Sequence, residues 1–266
     1  MDLELAGKVA LVTAASKGIG YAVAYRLVAE GATVVISSRE GTTLRDAEAK
    51  LAAHAAGADG RVTAIAADLT ADGAATDLVG QVIDRFGRID VLVSNTPGPR
   101  ISPVLDLTDA DWDGAYATLL RPAVQLSRAA GRDMADRGDG SIIFLTSTWV
   151  RQPASGGGLS AAMRSAISAL GKQLAIELAP SGVRVNQVMP GATGTDRMYD
   201  ISAAKAARHG TTAEQETAEV VAGIPLGRWA TPEEIADSVA FLASPRSAFT
   251  TGHALSIDGG AVRSTI

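Results

Sequence analysis

Short apolar runs alternate with longer amphipathic segments along the whole of this 266-residue chain. The short runs are rich in valine and isoleucine and are apolar on both faces, which is typical of strands buried in a parallel sheet. They predict strands at 8–14, 33–37, 61–67, 90–94, 141–147, 183–189 and 254–258. Helical periodicity between them is clearest at 18–30, 73–86, 109–136, 159–179 and 232–243.

The order of these elements predicts the fold class. Regular alternation of strand and helix implies right-handed crossovers and a single doubly wound α/β sheet. We therefore expect one domain over 1–266, with about seven parallel strands and helices on both faces. Thr231 with Glu234 three residues later marks the start of the last helix. The segment 192–226 is less periodic and follows the sixth strand, so we expect it to cover a substrate site.

Composition and charge exclude several classes of protein. The net charge of −5 argues against a nucleic-acid partner. The absence of cysteine excludes disulfides and thiolate metal sites, and none of the three histidines has metal-ligand company, so we expect no metal. No basic run precedes a long apolar stretch at the N-terminus, and no apolar stretch approaches a membrane span of roughly 20 residues. We expect a cytoplasmic protein with no membrane partner.

The first predicted strand runs into TAASKGIG, residues 13–20, and then into a helix. Gly18 and Gly20 allow the backbone to approach a pyrophosphate and the helix to pack on the sheet, while the helix N-terminus supplies free N–H groups. Any tight strand-to-helix turn can use glycine. The position directly after the first strand nevertheless favours a dinucleotide cofactor.

The end of the second predicted strand bears on which dinucleotide is bound. An acidic residue at this point would hold the ribose hydroxyls of NAD, whereas an arginine accommodates the 2′-phosphate of NADP. Ser38 and Arg39 stand here, and Lys17 supplies a second cation. They favour NADP(H). Glu40 is the competing ribose ligand, and Arg39 could also be a solvated loop cation.

At this point the chain resembles a short-chain dehydrogenase/reductase, a family with the Rossmann fold. TAASKGIG is similar to the family's TGxxxGIG, with Ala14 in place of the first glycine. Further landmarks are Asp68-Leu69 at the adenine, Asn95-Thr96-Pro97 in place of NAG, and Pro190-Gly191 with Thr193 and Thr195 near the nicotinamide; residues 251–260 resemble the closing strand. The resemblance and the cradle together imply cofactor contacts from Ala14, Ser16, Lys17, Gly18, Ile19, Gly20, Ser38, Arg39, Asp68, Leu69, Asn95, Thr96, Pro97, Arg164, Pro190, Gly191, Thr193 and Thr195.

The catalytic residues of the family are mostly replaced. The family has a serine on the fifth strand, a tyrosine thirteen residues later and a lysine four beyond that. Ser147 fits the serine, but Ser160 and Arg164 occupy the other two positions. Leu119 stands where the family has an asparagine, seven residues after Trp112. Ser147, Ser160 and Arg164 are therefore the candidate catalytic set, although Ser147 could simply cap a turn.

These replacements interrupt the family's proton path. A serine hydroxyl is a far weaker acid than a phenol, and an arginine stays protonated in proteins. Ser160 can still donate a hydrogen bond, and Arg164 can stabilise a developing alkoxide or enolate and hold ribose hydroxyls. A proton could instead come from Tyr116, Tyr199 or His209, although packing for Tyr116, a substrate-wall position for Tyr199 and solvation for His209 are the favoured explanations.

Three functions stay open at this level. The first is an NADP(H)-dependent oxidoreductase that reduces a small organic carbonyl or a conjugated C=C or C=N bond. The second is a non-redox enzyme, such as an isomerase, dehydratase or cyclase, in which Arg164 stabilises an enolate. The third is a non-catalytic NADP-binding protein. The resemblance favours the first, with a small-molecule substrate, and also implies a homo-oligomer, either a dimer or a tetramer.

Overall fold

The computed structural model describes residues 1–39, 41–55 and 61–265. The strands are Val9–Thr13 (β1), Thr33–Ser38 (β2), Arg61–Ala66 (β3), Val91–Ser94 (β4), Gly140–Leu145 (β5), Val183–Pro190 (β6) and Ala254–Ile257 (β7). The α-helices are Gly18–Ala29 (α1), Thr42–Ala55 (α2), Ala74–Phe86 (α3), Asp109–Ala115 (α4), Arg121–Arg137 (α5), Gly158–Leu178 (α6), Asp196–His209 (α7), Ala213–Ala222 (α8) and Pro232–Ala243 (α9). Single 3₁₀ turns occur at Val104–Asp106, Thr148–Val150, Ala179–Ser181 and Pro245–Ser247.

The seven strands form one parallel sheet in the order β3-β2-β1-β4-β5-β6-β7. Leu11 in the middle of β1 pairs with Val35 on one side and Leu92 on the other. Strands β1 to β3 therefore extend the sheet in one direction, and strands β4 to β7 extend it in the opposite direction. The predicted doubly wound α/β fold is confirmed, and its switch point lies between the carboxyl ends of β1 and β4, where such sheets bind ligands.

Each face of the sheet is covered by a layer of helices. Helices α1, α2 and α9 pack on one face through side chains such as Leu27 and Val239, which are fully buried. Helices α3, α5 and α6 cover the other face through side chains such as Leu78 and Leu126. A fully buried aliphatic side chain stabilises the folded state by roughly 1.5–3 kcal/mol relative to exposure. The two layers hold the ligand-binding edge of the sheet rigidly.

The helix predicted at 109–136 is broken in the middle. After α4 the chain forms a π-helical turn, Tyr116–Leu120, and only then begins α5. Pro122 lies in the first turn of α5, where its missing N–H costs no hydrogen bond, and the wider turn before it relieves the clash of its ring. The turn also places Leu119 in the interior, fully buried against α6.

The segment 192–226 contains two helices, α7 and α8, which pack against each other. The sequence pattern predicted no helix here. Thr212 and Gln215 form a reciprocal capping box that starts α8, a local signal that its sequence carries. Among the described residues, no helix is long and apolar enough to cross a membrane.

Candidate active site

The turn between β1 and α1 forms a cradle against which a phosphate could rest. A Cβ at Gly20 would lie 2.4 Å from the main-chain oxygen of Ala14 and 2.8 Å from Nδ2 of Asn95, so only glycine fits. The Lys17 side chain makes no capping hydrogen bond to the helix that follows. The first N–H groups of α1 are therefore free to meet an anion at the positive end of the helix dipole. The geometry fits a pyrophosphate.

The loop after β4 is fixed beside this cradle. The Thr13 hydroxyl donates to the main-chain oxygen of Asn95 at 2.7 Å and accepts the Asn95 N–H at 3.0 Å. The Asn95 amide also donates to the Ala14 carbonyl at 3.3 Å. These bonds join the carboxyl ends of β1 and β4, and Thr96 and Pro97 carry the chain on from there along the crevice.

The predicted ribose and adenine contacts lie at the ends of β2 and β3. Arg39 is exposed, and its charge lies near Asp68 on the adjacent strand end. Hydrogen bonds from the hydroxyl and main-chain N–H of Thr70, together with the Arg39 charge, hold the pKa of Asp68 below its usual value. Glu40, the competing ribose ligand, lies outside the described residues. A cation and an ionised carboxylate therefore share this end of the crevice.

The loop after β6 closes the crevice from the other side. Thr193 is buried, and its hydroxyl donates to the Gly191 carbonyl at 3.1 Å, while the Gly191 N–H donates to the Ile257 carbonyl. The methyl carbon of Thr195 lies 3.6 Å from the position that a Cβ on Gly18 would take. The loop that begins at Pro190 therefore reaches the turn at Gly18.

Arg164 crosses from α6 to the carboxyl end of β5. Only 8% of it is exposed, and its Nη1 donates to the main-chain oxygens of Leu145 and Thr146, both at 2.8 Å. Its buried Nε–H has no hydrogen-bond partner within the described residues. Two main-chain acceptors therefore hold this cation at the carboxyl end of β5.

The two candidate serines lie on different elements, Ser147 directly before a 3₁₀ turn and Ser160 on α6. Ser147 accepts a hydrogen bond from the Trp149 N–H at 3.2 Å, so it caps the 3₁₀ turn as the simpler interpretation expects. No acceptor for its hydroxyl proton lies within the described part of the chain. Ser160 lies in the first turn of α6 and is 6% exposed, one helical turn before Arg164. Ser147 and the Arg164 guanidinium thus lie at the end of β5, and Ser160 is buried on the helix that carries Arg164.

The electrostatics of Arg164 are unusual for an arginine. Burial, and secondarily the positive charge of Arg197, lower the pKa of the Arg164 guanidinium to about 10. It is still protonated at neutral pH, so it acts there as a fixed cation. Arg197 lies in the first turn of α7, and the sequence pattern gave no reason to place its charge near residue 164, more than thirty positions earlier.

The other candidate proton donors have local partners or lie near the surface. Tyr116 is 48% exposed on the π-helical turn. Tyr199 is also exposed and packs against the Trp229 ring, with centroids 5.3 Å apart. His209 pairs through Nδ1 with the buried carboxylate of Glu216 at 2.9 Å, which ties the end of α7 to α8. The position of His209 is thus explained by packing of the two helices.

Arg121, beside the proline of α5, forms an ion pair with Asp72 at 3.1 Å and donates to the main-chain oxygen of Thr70. Its charge is therefore taken up by the segment that follows β3. It joins helix α5 to the strand end where Asp68 lies.

Comparison with known proteins shows which family the chain resembles. A family model described as enoyl-(acyl carrier protein) reductase matches residues 13–262. The chain is 37% identical over 252 residues to the short-chain reductase protein NovJ of Streptomyces niveus, covering 95% of this chain and 93% of that protein. It is 33% identical to the 3-oxoacyl-[acyl-carrier-protein] reductase FabG of Vibrio harveyi, covering 97% and 98%.

The chain belongs to the short-chain dehydrogenase/reductase family. Solved structures of similar proteins agree in fold along nearly the whole chain. The L-sorbose reductase of Gluconobacter frateurii, complexed with NADPH and L-sorbose, has a TM-score of 0.93 at 29% identity and covers 99% of this chain and 100% of that one. A variant of the actinorhodin polyketide ketoreductase with NADPH has a TM-score of 0.91 at 29% identity and covers 97% and 98%. The family named from the sequence motifs is thus confirmed.

Proposed function

We propose that this protein is an NADPH-dependent reductase of a small organic carbonyl or of a conjugated C=C or C=N bond. The relatives that it matches are reductases, and two similar solved proteins are described as NADPH complexes. The observation that carries the proposal is the buried Arg164 guanidinium, which two main-chain oxygens fix at the carboxyl end of β5.

The residues present fit the cofactor. The free N–H groups of α1 and the glycine cradle would hold the pyrophosphate, Arg39 and Lys17 would hold the 2′-phosphate, and Asp68 would meet the adenine. Thr195 would contact the nicotinamide half. When bound, NADPH supplies a hydride to an electron-poor carbon.

The serines and the arginine would act on the substrate oxygen. Ser147 and Ser160 would donate hydrogen bonds that orient a carbonyl, and Arg164 would stabilise the negative charge that develops on its oxygen. Preorganised donors of this kind act without reorganisation, because Arg164 is already fixed by the two main-chain oxygens. None of the three side chains titrates near neutral pH, so the proton that completes the reduction would come from water.

This function is tested by NADPH oxidation. Purified protein is mixed with NADPH and a panel of ketones, quinones and enones, and the nicotinamide absorbance is followed. We expect turnover with at least one class and a loss of roughly 10²–10³ in kcat for Arg164→Met. Gln173→Met, an exposed change on the same helix, serves as the matched control. NADPH binding without turnover of any substrate would contradict the proposal, and product formed without NADPH consumption would indicate non-redox chemistry.

We also propose that the protein assembles as a dimer or tetramer through α5, α6 and β7. Strand β7 is at the edge of the sheet, and Ile176 on α6 is an exposed aliphatic side chain. A well-packed assembly would cover such surfaces. Light scattering after size exclusion should give a multiple of the 27.1 kDa chain mass, whereas a monomer would contradict this assignment.

A further inference from the structure

A second arginine reaches across the mouth of the crevice. Arg197, in the first turn of α7, donates from Nη2 to the main-chain oxygen of Pro99 at 2.6 Å. Its guanidinium lies so close to Gly98 that a Cβ there would be 2.6 Å from Nε and Nη2. A side chain at position 98 would clash with the Arg197 guanidinium, so the glycine in the loop after β4 leaves room for this cation. Arg197 spans from the loop beyond β6 to the loop beyond β4.

This arginine has no direct carboxylate partner. Neither Arg197 nor Arg164 forms an ion pair within the described residues, and the Nε and Nη1 groups of Arg197 make no hydrogen bond there. Burial of part of the side chain lowers the pKa of Arg197, while the negative charge of Asp200 acts in the opposite direction. The Arg197 charge in turn lies close enough to Arg164 to lower the pKa of that guanidinium, so two cations share one crevice.

The position of Arg197 on its helix adds to this excess of positive charge. Arg197 lies in the first turn of α7, where the helix dipole disfavours a positive charge. A folded protein tolerates such an arrangement most easily when an anion binds between the charges. The pyrophosphate of the dinucleotide would bind at the phosphate cradle of α1. Arg197 contacts a different part of the crevice, the loop at Gly98 and Pro99.

Resting on the proposed function, we propose that the substrate carries a carboxylate and that Arg197 binds it while the reducible group meets Ser147, Ser160 and Arg164. A guanidinium binds a carboxylate through two parallel N–H groups, and Arg197 has free donors for that geometry. Because Arg197 is exposed at the mouth, a substrate can reach it directly from solvent. The residue thereby determines which carbonyl or alkene compounds are accepted.

The test compares keto acids and enone acids with their methyl esters. The wild-type protein should prefer each acid, and Arg197→Gln should lower kcat/KM for the acid about 10- to 100-fold while leaving the ester unchanged. Arg197→Lys should recover part of the preference, since it restores a point charge. Arg208→Gln, an exposed arginine at the other end of α7, is the control and should behave like wild type. Equal use of acids and esters by wild type, or equal loss for both in Arg197→Gln, would overturn the inference.

A binding measurement tests this inference independently of the proposed function. Calorimetry measures binding of the acids to protein saturated with NADP⁺, which needs no turnover. Weaker acid binding by Arg197→Gln supports the inference even if no NADPH is oxidised, whereas unchanged binding overturns it. The dissociation constant of NADPH, followed by fluorescence, should not change in Arg197→Gln. A loss confined to NADPH would assign Arg197 to a cofactor phosphate and would also overturn the inference.

Discussion

The main-chain oxygen of Ala14 occupies the space into which a side chain at Gly20 would extend, and the gap to an added Cβ is only 2.4 Å. Ala14 itself adopts a left-handed φ of +48°, which a non-glycine residue seldom does. The turn is therefore constrained at both ends, because the backbone of residue 14 and the first turn of α1 are in direct contact.

Gly20→Ala should for this reason disrupt the phosphate cradle. We expect the added methyl group to push α1 away from the Ala14 carbonyl and to weaken NADPH binding at least about tenfold, since a 1 Å misplacement is already costly. Fluorescence titration with NADPH measures the effect. Gly80→Ala is the matched control, because a Cβ at this helical glycine meets nothing within 4 Å and should stabilise α3 by roughly 0.5–1 kcal/mol. Unchanged NADPH affinity in Gly20→Ala would show that the cofactor does not use this turn.

Arg39 should determine the preference for NADPH over NADH. Its guanidinium is exposed at the end of β2, where a 2′-phosphate would lie. Arg39→Ala should raise the Kd of NADPH about tenfold through loss of a charged hydrogen bond and leave that of NADH unchanged. Arg45→Ala, an exposed arginine on α2, should alter neither. A parallel loss of both dinucleotides in Arg39→Ala would contradict this role.

Asp90 should contribute strongly to stability. It directly precedes β4, at the amino ends of the strands and thus opposite to the active site. It is 4% exposed and accepts hydrogen bonds from the Val9 N–H at 2.8 Å and from Arg88 at 2.9 Å, and it also pairs with Arg137. Asp90→Ala leaves a buried N–H and two cations without their acceptor, so we expect a loss of about 3 kcal/mol in urea unfolding. The exposed Asp136→Ala should change stability little, and equal effects of the two variants would refute the assignment.

Glu234 should make stability depend on pH in the acid range. A hydrogen bond from Arg228 and the Thr231 N–H lower the pKa of this carboxyl from 4.5 to about 2. A lowered folded-state pKa means that the contribution is present above about 4.5 and is lost as pH falls toward 2. The Tm of wild type should therefore exceed that of Glu234→Gln near neutral pH and approach it at pH 2. A constant difference between the two across this range would contradict the prediction.

Elements with strong periodicity were predictable from the sequence, whereas contacts between distant loops were not. All seven strands form, although β5 ends at Leu145, two residues before the predicted end, because Ser147 caps a 3₁₀ turn. The helices of 192–226 were missed because their apolar faces are small, even though Thr212 and Gln215 carry a capping signal.

The candidate site was partly predictable in the same sense. The family resemblance singled out Ser160 and Arg164, and the structure buries both residues on α6. The sequence could not predict which group each of these charged side chains contacts. The contact of Arg197 with Pro99 joins residues 98 positions apart, and it depends on how two loops meet across the sheet.

Arg164 is anchored to main-chain oxygens, those of Leu145 and Thr146, and not to side chains. Every amino acid offers such an oxygen, so mutations at 145 or 146 that preserve the backbone leave the anchor intact. The surrounding walls can therefore diverge during evolution while the cation keeps its place. New substrates can be acquired by changing the lining of the crevice without rebuilding the charge at its floor.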